Sequence, residues 1–193
     1  MLAIFKREFK SYFQNVIGWL FVAALLAVYG LYFYVYNLKN GYPYISYDLK
    51  GIGFIMMIAV PILTMRSLSD EKKTKTDQLM LTSPVSVGRI VAGKYFAMAA
   101  VYTIDIALFA LSPLVLSIYG KVALSEAYVA LFGYWLYGLS CIAVGLFISS
   151  ISESVIISAI LTFAALFLSY MMQSITGLIS SSGNLLTKVL NCF

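Results

Sequence analysis

The chain has 193 residues, 62% of them hydrophobic and 11% charged, against roughly 45–50% and about 25% in soluble domains. So few charges cannot cover the outside of a water-soluble core of this size, which excludes an ordinary soluble domain. The net charge of +5 sits mostly in two segments and is read as membrane topology, not as a nucleic-acid surface.

There is no His, and Cys141 and Cys192 are too far apart in sequence to form a metal spacing, so no metal or cofactor is expected on this chain. The pattern predicts an all-α, polytopic membrane protein organised as one transmembrane domain over residues 1–193.

In residues 1–15, Leu2, Phe5, Phe9, Tyr12 and Phe13 recur at three- and four-residue steps among Lys6, Arg7, Glu8 and Lys10. This predicts an amphipathic helix lying along the membrane surface. The apolar segment after it is about 20 residues long, enough to span, and shows no small-residue cleavage site of a signal peptide.

Span one is expected over residues 17–36, with Tyr29, Tyr32 and Tyr36 forming a stripe near its outer end. The stripe fits either the headgroup belt or a translocation path at a dimer interface. A turn containing Lys39, Asn40, Gly41 and Pro43 leads into span two, residues 45–65. Asp48 and Lys50 should lie near its outer interface, and Pro61 should kink its inner end.

The long polar stretch, residues 66–94, comes next. Span three is expected over 95–119 with Pro113 near its outer end, span four over 127–149 and span five over 155–173, leaving 174–193 as an outer segment. In span four, Gly138, Cys141, Gly145 and Ser149 share one face, so another helix can approach closely there. Asp105 is the one acidic residue deep in a span, about 16 Å along the helix from Lys94. An intramembrane carboxylate is costly and marks a candidate functional site. With the N-terminus inside, nine Lys and Arg fall in cytoplasmic segments and four in outer ones, as the positive-inside rule asks.

The polar stretch carries the functional reading. Thr76 is a plausible helix N-cap, Asp77 follows in the first turn, and Leu79, Met80 and Leu81 form an apolar patch before Ser83-Pro84 stops the helix. Such a patch needs a cover, which the protein's own body, the membrane or a partner could supply.

Met65, Arg66, Glu71, Thr76, Leu79, Thr82, Ser83, Pro84, Val85 and Ser86, followed by Ile90, Val91, Gly93 and Lys94, resemble the type-2 permeases of ATP-binding cassette (ABC) exporters. The resemblance is to the gliding-motility and nitrous-oxide-reductase-maturation group of transmembrane subunits. Asp70 stands where that group has Glu, Lys75 where it has Gly, and Gln78 where it has Glu, which bears on the detail of partner contact.

The resemblance implies a bacterial cytoplasmic membrane and a dimer with a second permease copy or a paralogue. It also implies a separate cytosolic ATPase subunit that binds ATP and Mg²⁺. A coupling helix at Thr76–Thr82 would dock on that subunit through Glu71, Thr76, Asp77, Gln78, Leu79, Leu81 and Thr82. The family has six spans where five are legible here, so the sixth is expected to be truncated or preceded by an outer hairpin.

Gly88 to Lys94 fits the start of a phosphate-binding loop, but Tyr95 stands where Ser or Thr must hold Mg²⁺ and no strand precedes it. The chain is therefore not expected to be an ATPase. A self-contained channel or ion-driven carrier using Asp105 is the alternative. A membrane enzyme fares worst, with no His and no nucleophile–base pair.

Overall fold

The computed structural model describes residues 2–42, 44–73, 86–119 and 123–179, and among them every regular element is helical. The elements are α1 (Leu2–Gln14), α2 (Val16–Tyr32) with a π-helical continuation Phe33–Lys39, α3 (Ile45–Thr64) and α4 (Ser69–Lys73). After these come α5 (Val87–Phe109), α6 (Ser112–Tyr119), α7 (Leu124–Ile151) and α8 (Val155–Ile179). Five stretches are long and apolar enough to cross a membrane: Val16–Lys39, Ile45–Thr64, Val87–Ile118, Leu124–Ile151 and Val155–Met172.

Span two is the centre of the bundle. It packs on spans one, four and five, while span three packs on α1 and on spans one and four. The core runs through Phe21, Leu25, Ile52, Met56, Val60, Leu63, Met98, Val101 and Ile142, all essentially buried. Outward faces are apolar as well: Ile156, Ile160 and Leu168 of span five are exposed. An apolar outer face belongs in lipid, where a helix can be hydrophobic all round.

The corner between α1 and α2 follows from local chemistry. Asn15 takes extended angles and ends the first helix. Trp19 Nε1 then donates to the Phe13 carbonyl at 2.9 Å, one of the carbonyls a helix end leaves open. Gly18 is required there, because any Cβ would overlap the Tyr12 backbone carbonyl. At the far end of span one, Gly41 turns the chain with φ of +70°, a left-handed angle that glycine adopts without cost.

Several boundaries differ from the sequence reading, among them the start of span four at Leu124 and the end of α8 at Ile179. Span one continues in the π-helical stretch to Lys39 and not only to residue 36. Span three begins at Val87 and not near residue 95, so the last eight residues of the expected loop are helix. Span three also breaks at Ala110–Leu111, between α5 and α6. Pro113 accounts for the break: it brings no N–H to the Phe109 carbonyl and its ring crowds that group. Ser112 Oγ donates to the Phe109 carbonyl instead, at 2.7 Å.

The small-residue face of span four meets two helices. A Cβ on Gly138 would overlap the Tyr102 ring of span three, and one on Gly145 would overlap Thr64 of span two. Close approach of backbones is how helices gain contact where lipid provides no hydrophobic drive.

Candidate functional site

The two ends of the polar loop are fastened to the same place. Immediately after span two, the Leu68 and Ser69 N–H groups both donate to Ser149 Oγ at 3.2 Å, and Ser69 Oγ donates back to the Ser149 carbonyl at 3.0 Å. Ser149 lies in the last turn of α7, where carbonyls lack helical partners, and Ser69 opens α4, where N–H groups lack them. Each helix end therefore satisfies the other.

On the far side of the loop, Lys94 is only 2% exposed. Its Nζ donates to the Ser67 carbonyl at 2.9 Å and pairs with Glu8 at 3.5 Å. A buried ammonium is tolerable only with such partners. Gly93, beside it, lets α1 lie close, since a Cβ there would press on Ile4. One brace thus joins α1, the start of α4, α5 and the end of α7.

Glu71 lies on α4, next to this brace. The expected coupling residues Thr76, Asp77, Gln78, Leu79, Leu81 and Thr82 lie outside the described residues. Asp105 is fully buried on α5, and neither carboxylate oxygen has a hydrogen-bond partner among the described residues.

Tyr29 is not in a headgroup belt. It is buried, stacked on Phe109 with ring centroids 4.1 Å apart, and hydrogen-bonded to Ser112. It meets span three one turn beyond Asp105. Tyr32 is half-buried, stacked on Tyr36, and covers Gly51 of span two. The structure therefore does not gather Asp105, Tyr29 and Tyr32 into one lining; each packs against a neighbouring helix.

Sequence reading missed the partners. Asp48, assigned to the outer interface, is fully buried and hydrogen-bonded by Asn37 of the π-helical stretch. Lys94 was counted as a topology charge, and Glu8 as part of a polar helix face. The one available signal was Ser149, which closes the small-residue face of span four.

Five spans set around a braced polar loop define a multi-pass membrane protein with a loop mechanically tied to its helices. A family model described as ABC-2 family transporter protein matches residues 32–193. The chain belongs to that family, and is a membrane permease subunit of an ABC transporter. No curated protein and no solved structure matches it.

Proposed function

We propose that this permease works in export, moving its substrate across the cytoplasmic membrane on ATP hydrolysis in a separate cytosolic ABC ATPase subunit. The N-terminus, α1 and the polar loop face the cytoplasm, which is the orientation favoured by the nine-to-four distribution of basic residues. Two permease chains, identical or paralogous, pair with two ATPase subunits. The segment Thr76–Thr82, with Glu71, docks on the ATPase, Leu79 and Leu81 serving as its apolar anchor. ATP and Mg²⁺ bind only in the partner.

The observation that carries this reading is the brace. A push on the loop reaches α4, whose start is hydrogen-bonded to span four, and Ser67, whose carbonyl is held by Lys94 on span three. Such a loop passes displacement to the spans, and rigid-body rearrangement of packed helices is how these motions are converted to alternating access. The test is co-purification with an ABC ATPase subunit co-expressed with this chain. Replacing Leu79 and Leu81 by Asp is expected to abolish the complex and its coupled hydrolysis; retention of both would refute the docking assignment.

A second reading, an ion-coupled carrier, is favoured by Asp105, buried without a hydrogen-bond partner. It requires proton- or sodium-driven flux in vesicles without ATP that Asp105→Asn removes. Flux unchanged by that substitution rejects it.

A further inference from the structure

Spans two, four and five leave between them a groove of about 780 Å³. That volume lies within the roughly 300–1,000 Å³ of ordinary ligand sites. Its floor is cut by two glycines, Gly53 of span two and Gly133 of span four, and a Cβ at either would meet nothing within 4 Å. Its walls carry three tyrosines, Tyr134, Tyr137 and Tyr170. The groove is thus a built space between helices, with apolar depth and polar edges.

Two features say what it takes. Among the described residues Lys50 is the sole charged one lining the groove, flanked by Ser46 one turn earlier on the same helix and by Ser169 of span five. Its side chain is exposed, about 7.5 Å along α3 from the first residue of that helix at about 1.5 Å per residue, so the ammonium is open to an anion lying in the groove. No carboxylate among the described residues lines the groove; the nearby Asp48 is turned to Asn37 on another face of α3. The second feature is Tyr134, a lining residue only 9% exposed whose hydroxyl is itself buried and has no hydrogen-bond partner among the described residues. Buried hydroxyls are almost always hydrogen-bonded.

We propose that this groove binds an amphiphile with an anionic oxygen headgroup. The headgroup sits at Lys50, Ser46 and Ser169, the tail runs over Gly53 and Gly133, and a ligand oxygen meets the Tyr134 hydroxyl. A phosphate, sulfate or carboxylate head satisfies the same donors. The source is either a resident anionic lipid or a transported amphiphile. The use of the site rests on the permease reading, but binding is measured without an ATPase, so its failure leaves the coupling assignment standing.

The experiment uses the full chain with Cys141→Ser, Cys192→Ser and Gly53→Cys, reconstituted in nanodiscs of zwitterionic phospholipid. The rate of thiol labelling at position 53 is followed against dodecyl phosphate. Labelling is expected to slow at least tenfold, while inorganic phosphate and the uncharged dodecyl maltoside have little effect. Lys50→Gln is expected to raise the half-protecting concentration about tenfold, Lys50→Arg to preserve it, and Gly133→Leu to abolish protection by filling the tail path.

Nanodiscs containing anionic phospholipid distinguish the sources. Slow labelling there without added probe identifies a resident lipid, and fast labelling that the probe still slows identifies an exchangeable ligand. Equal protection by the uncharged amphiphile overturns the proposal, as does indifference to Lys50→Gln in a variant that melts like its parent. Slow labelling in zwitterionic discs that is relieved by deleting residues 174–193 overturns it too, since the chain's own end then covers the groove.

Discussion

Counted by charge, Lys94 belongs with the residues that orient the chain; placed in the fold, it is a buried donor shared by Ser67 and Glu8. Removing one partner of a buried pair leaves the other uncompensated, at a cost of about 3 kcal/mol. Lys94→Met is therefore expected to lower the melting temperature of the purified protein clearly, and Glu8→Gln to add little in that background. Additive losses in the double variant would show that the pair is not coupled.

Asp105 carries the opposite expectation. Its oxygens have no hydrogen-bond partners, and an unsatisfied buried polar group costs about 1–3 kcal/mol. Asp105→Leu should raise the melting temperature. A fall would mean that the carboxyl is held by a partner beyond the described residues.

Elements were legible in the sequence where their cause is local. The apolar runs of spans four and five, bounded by Ser152 and Glu153, needed nothing beyond length. The Gly138–Ser149 face showed its spacing directly, because a stripe at steps of three and four belongs to one helix. The start of span three was not legible, since Arg89 and Lys94 looked like loop charges. What admits Lys94 to a buried helix is Glu8, on a different element, and periodicity cannot report a distant partner. The inward turn of Asn37 toward Asp48 was hidden for the same reason.

Two element-scale tests follow from close approach and from the proline break. Gly138→Ala, which drives a methyl into the Tyr102 ring, should cost about 1–3 kcal/mol as overpacking does. Gly30→Ala, with nothing near its Cβ position, should stay within about 0.5 kcal/mol. Ser112→Ala should cost about 1–2 kcal/mol by stranding the Phe109 carbonyl and the Tyr29 hydroxyl. Restoring an N–H with Pro113→Ala should recover part of that loss, and thermal melts in one detergent compare all four.

At the scale of the molecule, the two ends of the bundle differ in kind. One end is the brace around α1 and the polar loop; the other holds the buried cluster of Tyr29, Asn37, Asp48 and Ser112. The proposed orientation puts the brace in the cytoplasm, and impermeant thiol labelling of intact cells decides it. In a chain without native cysteines, Asn40→Cys should react from outside. Glu153→Cys should react only after permeabilisation, and the reverse pattern would invert the topology. The substrate-facing chemistry was the least legible part of the sequence. The groove at Lys50 draws on residues 46–53, 130–137 and 169–170, which are distant in the chain, and no short motif marks it.

The brace also imposes an order on biogenesis. Glu8 leaves the ribosome ahead of the five described spans, yet its cation arrives only with the head of span three. Until then α1 has no ion-pair partner on the bundle and must wait at the membrane surface. The Ser69 contacts come later still, when the end of span four is inserted. A nascent chain halted between these points would carry the Lys94 contacts but a loose α4. The loop base therefore becomes firm only after four spans are in the bilayer, so a firm platform for an ATPase does not exist before then.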